Sequence, residues 1–89
     1  MADWTDDALN SHDLWVDQLD DRDQYEGTKS LDSYLNDIDE AEKKITDNPG
    51  QYPSHPKLPG TRVYRGKKYK IYYRYAPPPS PVIVGVEGL

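Results

Sequence analysis

The residues of this chain best equipped for chemistry lie between positions 61 and 75, in the run Thr61-Arg62-Val63-Tyr64-Arg65-Gly66-Lys67-Lys68-Tyr69-Lys70-Ile71-Tyr72-Tyr73-Arg74-Tyr75. Arg65, Lys68, Lys70 and Arg74 supply cations, and Tyr72 places an aromatic ring among them. Such a set suits a polyanion, because Lys and Arg neutralise phosphates while an aromatic face stacks bases. Cleaving RNA asks for more. A base must take the 2′-hydroxyl proton, an acid must protonate the leaving 5′-oxygen, and cations must stabilise the phosphorane. Lys70 and Arg74 are the candidate cations, and Tyr72 is the candidate base, since positive neighbours are expected to lower its pKa. His55, in the preceding loop, is the other titratable group that could swing in. Against both readings stands a plainer one, in which the Lys and Arg side chains solvate an exposed sheet edge and discourage edge pairing. Four charges of one sign on one face exceed what that requires.

These side chains need a scaffold that turns them to one side. Gly66-Lys67 fits a two-residue turn with Gly at its first central position, which pairs Arg65 with Lys68, Val63 with Lys70 and Thr61 with Tyr72. One face of the hairpin then carries Tyr64, Tyr69, Ile71, Tyr73 and Tyr75, with Arg62 at its margin. The other carries Arg65, Lys68, Lys70 and Arg74 with Thr61, Val63 and Tyr72. The aromatic face is expected to pack inward and the basic face to look outward. Beyond it, Ala76-Pro77-Pro78-Pro79-Ser80-Pro81 reads as a stiff extended connector. Val82-Ile83-Val84-Gly85-Val86 reads as a buried strand, too continuous to be half exposed.

Upstream, Leu31, Tyr34, Leu35, Ile38, Ala41 and Ile45 recur at helical spacing and predict a helix from Ser30 to Asp47, capped by Thr28 or Ser30 and stopped by Asn48-Pro49-Gly50. Thr5 caps an earlier helix from residue 6 to about residue 23, with Ala8, Leu9, Trp15, Val16 and Leu19 as its stripe and a break and restart at Asn10-Ser11. A short connection makes the two an antiparallel pair. The reading is one α+β domain over 1–89. An acidic helical hairpin (1–49) packs on one face of a small, about three-stranded antiparallel sheet. A Pro-rich loop (50–60) leads to the basic hairpin and final strand (61–89).

Charge follows the same division. Residues 1–50 hold fifteen Asp or Glu against four Lys or Arg, and residues 51–89 hold seven Lys or Arg against Glu87 alone, so a formal −5 conceals −11 and +6. The acidic half reads as a solvated helix surface, as a screen in which Asp17, Asp20, Asp21 and Asp23 reach towards the basic face, or as a patch for a basic partner. There is no Cys, and His12 and His55 are too few for a zinc cluster, so no metal and no cofactor are expected. No apolar run approaches the roughly 20 residues that span a bilayer, and Met1-Ala2-Asp3-Trp4-Thr5-Asp6-Asp7 lacks the charge and apolar stretch of a signal peptide. A soluble, cytoplasmic protein with no membrane partner is expected.

Trp4-Thr5-Asp6-Asp7-Ala8-Leu9, the helix ending at Asn48-Pro49, Leu58-Pro59-Gly60 and the Tyr64–Tyr75 hairpin together resemble the RelE/ParE superfamily, the toxins of type II toxin–antitoxin modules. The hairpin is similar to the family's short turn leading into Tyr-Arg-Ile-x-Tyr-x-Val, with Lys70 where that Arg usually stands. Val82-Ile83-Val84-Gly85-Val86 is similar to its central last strand. The resemblance implies a helical hairpin on one face of a curved antiparallel sheet. It implies growth inhibition through the other face, by cutting messenger RNA on the ribosome as a metal-independent endoribonuclease or by inhibiting DNA gyrase. It also implies an antitoxin that wraps the toxin. Only Ala2-Asp3-Trp4 stands for the family's first strand, so an open sheet edge is expected to invite a partner strand or a homodimer. Val63 and Thr61 stand where some nuclease members place basic residues. Leu89 falls short of the stretch from which they draw a His, Tyr or Arg. Inhibition by binding is therefore expected over cleavage. Outside the family, the expectation is a non-catalytic binding module or accessory inhibitor that works through its acidic helices.

Overall fold

The computed structural model describes residues 3–75 and 81–89. The chain runs β1 (Asp3–Trp4), α1 (Asp6–Glu26), α2 (Ser30–Asp47), β2 (Thr61–Arg65), β3 (Tyr69–Arg74) and β4 (Val82–Gly88). The fold is α+β, with the helical hairpin packed on one face of the sheet. That sheet has four strands rather than three, in the order β1-β4-β3-β2. It is mixed: β1 runs parallel to β4, pairing Asp3 with Val82 and Trp4 with Ile83, while β4, β3 and β2 are antiparallel. The expected Ala76–Pro81 connector falls largely outside the described residues.

Helix α2 spans the expected residues. Helix α1 does not break at Asn10-Ser11 and continues to Glu26, where Gly27 takes the left-handed conformation at φ 67° and its N–H closes on Asp23 C=O. Thr5 caps α1 as expected, its hydroxyl accepting from Ala8 N–H at 3.1 Å. Ser11 stays helical because its hydroxyl turns back to Ala8 C=O and also accepts Val86 N–H, both at 3.0 Å. A residue that competes with the helical backbone elsewhere here serves β4, whose outer side β1 is too short to cover. The Thr5 N–H to Ile83 C=O bond covers the next part of that edge.

The core is built from one stripe of each helix and one face of the sheet. Trp15 and Leu19 of α1, Tyr34, Ile38, Ala41 and Ile45 of α2, Tyr69, Ile71 and Tyr73 of β3, and Ile83 and Val86 of β4 are all buried. Full burial of an aliphatic or aromatic side chain contributes about 1.5–3 kcal/mol, so each is a large share of what so small a core supplies. Two of the buried tyrosines have partners for their hydroxyls. Tyr73 donates to Pro49 C=O at 2.5 Å, and the Tyr34 hydroxyl is hydrogen-bonded to His12 Nδ1 at 2.6 Å. Leu9 and Leu35, both assigned to inward stripes by spacing, are 46% and 41% exposed. They stand at the outer seam of the helix pair rather than under it.

Two expectations about β4 and the hairpin are corrected. In β4 only Ile83 and Val86 are buried while Val82, Val84 and Gly85 are half exposed, because the helices cover one face of this interior strand and leave the other open. In the hairpin, Arg65 pairs with Lys70, Val63 with Tyr72 and Thr61 with Arg74. The turn is therefore Lys67-Lys68, flanked by the Gly66 N–H to Tyr69 C=O bond at 2.9 Å. Gly66 does not take the positive φ that the first central position of the expected turn requires. Instead the Tyr69 ring lies over Gly66, where any Cβ would strike it. The slip is two residues, an even number, so each side chain that stays in β2 or β3 keeps the expected face, while Lys68 passes into the turn.

Candidate functional site

The outward face of β2 and β3 carries Arg65, Lys70, Tyr72 and Arg74, with the helices on the other side. Arg65 and Lys70 are cross-strand partners, so Lys70 takes the place beside Arg65 that the expected register gave to Lys68. Arg74 is exposed four residues further along β3, about 13 Å from Lys70 at strand rise. Lys68 departs from the group: it sits in the turn and borders a cleft on the helix side.

The loop over 51–60 adds a wall. Val63 N–H donates to Pro53 C=O at 2.9 Å, His55 N–H donates to Thr61 C=O at 2.7 Å, and Ser54 bridges to Arg62, so this stretch runs antiparallel along the outer edge of β2. The wall turns a flat face into a groove of about 570 Å³, whose lining includes His55, Val63, Arg65, Lys70 and Tyr72. The His55 and Tyr72 rings lie 5.7 Å apart, tilted by 54°. His55 Nδ1 accepts Lys57 N–H at 3.0 Å, which leaves the ring proton of the neutral form on Nε2. His55 is thus already seated in the groove without swinging in.

Tyr72 behaves oppositely to its expected role. Its pKa is raised, first by burial, then by the negative charge of Glu87, to which its hydroxyl donates at 3.3 Å. A phenol held in its neutral form is a poor general base at neutral pH. From the residues alone Glu87 enters only the charge count, with no place on the basic face. It pairs with Lys70 across β3 and β4, so it brings the one acid of residues 51–89 onto the basic face. The Gly85-Val86-Glu87 alternation at the end of β4 was the available signal, hidden by the apolar run before it. Tyr72 itself fits beside Gly85, its cross-strand partner.

The acids of α1 do not screen this face. Asp23 accepts from Ser30 N–H, Leu31 N–H and the Thr28 hydroxyl, and Asp20 accepts from Gln24 Nε2. Both lie on the helical side of the sheet. That side has its own feature. Trp4, Leu9, His12, Leu35 and Ile38 line an apolar groove of about 360 Å³ at the outer seam of α1 and α2, bordered by Asp39 and Glu42.

Among the described residues no group of three His, Cys, Asp or Glu side chains is placed to hold a metal, and no helix is long and apolar enough to cross a membrane. No protein-family model matches the chain, and no curated protein sequence matches it either.

Proposed function

We propose that this chain is a RelE/ParE-like toxin of a type II toxin–antitoxin module, and that it inhibits its host target by binding through the outward face of β2 and β3. The target is translation or messenger RNA, or DNA gyrase. The carrying observation is the groove in which Arg65 and Lys70 stand side by side against Tyr72 and His55. Adjacent cations with aromatic rings between a wall and a sheet suit a phosphate backbone and its bases. Two features of the fold support the family resemblance: the helical hairpin lies on a single face of the sheet, and the last strand is interior. Binding is favoured over cleavage because Tyr72, the expected base, holds its proton.

Expression in bacteria tests the reading. The wild-type chain is expected to arrest growth, and Lys70→Ala with Arg74→Ala to relieve the arrest. Absence of arrest by the wild type removes the toxin assignment, and arrest that survives both substitutions removes the basic face.

The apolar groove between the helices favours a second activity for the acidic half. Exposed Leu9 and Leu35, bordered by Asp39 and Glu42, suit a cationic amphipathic segment of a partner such as an antitoxin. Capture of such a partner is expected to fail with Leu9→Ser and Leu35→Ser, and to persist without Lys70 and Arg74.

A further inference from the structure

Among the described residues, one buried side-chain polar atom has no hydrogen-bond partner: the indole Nε1 of Trp15. Trp15 is only 5% exposed, so this N–H has given up water without gaining an acceptor, a state that proteins generally avoid. The same residue forms part of the floor of a cleft of about 530 Å³ between the start of α2 and the hairpin turn.

The rim of that cleft is cationic in a chain that is acidic overall. Lys29, from the connection between the helices, meets Lys67 and Lys68 of the turn. These segments are far apart in sequence, and folding alone brings their charges together. One carboxylate, Asp37, shares the lining, and the Ser30 and Ser33 hydroxyls add hydrogen-bonding groups. Below them, Trp15, Leu19, Tyr34 and Tyr69 make the floor apolar and aromatic. The first N–H groups of α2 take no part, because the Asp23 carboxylate already occupies those of Ser30 and Leu31. An anion there is held by side chains. The volume falls within the range of about 300–1,000 Å³ typical of small-molecule sites.

We propose that this cleft binds a small organic anion, an aromatic or apolar body carrying one phosphate or carboxylate, with Lys29, Lys67 and Lys68 around the anionic group and the body against the floor that Trp15 helps to form. The site lies on the helical side of the sheet, away from the Arg65–Lys70 groove, and does not depend on the role given to that groove. A body with apolar surface is required because the floor offers no charge. An anionic group suits the rim because Lys29, Lys67 and Lys68 outnumber the single carboxylate of Asp37 there.

The indole N–H resonances of the ¹⁵N-labelled full chain report this directly. There are two Trp residues, and Trp4→Phe assigns the Trp15 signal. Phenyl phosphate, benzoate and inorganic phosphate serve as probes. The Trp15 signal is expected to move saturably with phenyl phosphate or benzoate, the stronger of the two identifying the head group. Inorganic phosphate is expected to bind at least about tenfold more weakly. Lys67→Ala with Lys68→Ala, at exposed turn positions whose backbone bonds are retained, is expected to weaken binding by about tenfold or more with the circular dichroism spectrum unchanged. Arg65→Ala with Lys70→Ala is expected to leave the shift in place. A Trp15 signal unmoved by both organic probes overturns the proposal, as does equal binding of inorganic phosphate or undiminished affinity in the Lys67, Lys68 variant.

Discussion

The carboxylate of Asp23, in the last turns of α1, accepts the backbone N–H of Leu31 at 2.8 Å and so caps the start of the other helix. Its second oxygen takes Ser30 N–H at 2.9 Å and the Thr28 hydroxyl. The formal N-cap, Lys29, makes no side-chain cap bond, and the Thr28 or Ser30 cap expected from spacing is replaced by a residue from outside α2. One side chain therefore satisfies the helix start and pins the angle between the two helices.

Asp23→Ala should accordingly lower the melting temperature and loosen α2 first. The Thr28 hydroxyl and then the Leu31 amide hold the Asp23 pKa below its ordinary 3.8. A carboxylate with a depressed folded pKa contributes stability above its unfolded value, and that contribution is lost as pH falls through the folded one. The gap in melting temperature between wild type and Asp23→Ala should be full at neutral pH and should close below 3.8. A gap that stays constant down to strongly acid pH would show that the charge is irrelevant to the cap.

Gly66→Ala tests the register. In the observed pairing a Cβ at position 66 collides with the ring of Tyr69, which is itself wedged against the core. Overpacking of this kind costs about 1–3 kcal/mol, visible as a lower urea midpoint. In a Tyr69→Leu background the same substitution should cost much less, whereas at a turn centre of positive φ its cost would not depend on residue 69.

Tyr73→Phe removes the hydroxyl that donates to Pro49 C=O and ties the end of α2 to β3. The expected loss is about 0.5–1.5 kcal/mol by denaturant titration. Burial pushes the Tyr73 phenol up from 10.0 to about 12, with Arg62 opposing the shift. The folded state therefore holds this proton more tightly, a contribution present below 10.0 and lost as pH rises through about 12. The Phe variant should show a shallower fall in stability over that alkaline window, and an equally steep one would refute the assignment.

Glu87→Gln should bring the Tyr72 pKa back down towards 10.0, since the Glu87 charge and hydrogen bond follow burial among the causes of its rise. Tyrosinate absorbance measures this. The same substitution removes the acid beside Lys70 and should strengthen binding of single-stranded nucleic acid. Arg65→Ala with Lys70→Ala should weaken that binding and flatten the slope of log K against log salt by about 1.4, the value for two lost phosphate contacts on a single strand. An unchanged slope would mean that neither cation meets a phosphate.

Helix α2, the Thr5 cap, the charge division and the two faces of the hairpin were legible in the residues alone. Each is a local property. A 3.6-residue stripe, a capping hydroxyl next to its helix and a two-residue alternation are written into neighbouring positions, and a pairing slip of two preserves the faces. What the sequence did not yield depended on contacts between distant segments. Ser11 could remain in α1 because Val86 supplied a donor for its hydroxyl. Tyr69 displaced the turn by lying over Gly66. Glu87 changed Tyr72 from a candidate base into a proton holder, and the loop over 51–60 walled the basic face with His55. Lys68 passed to the opposite side of the molecule, where it joins Lys29 over Trp15. Composition and periodicity determined which surfaces this protein has. Only packing decided which side chains meet on them, because cross-strand register, burial and pKa are set by neighbours that the linear order keeps far apart.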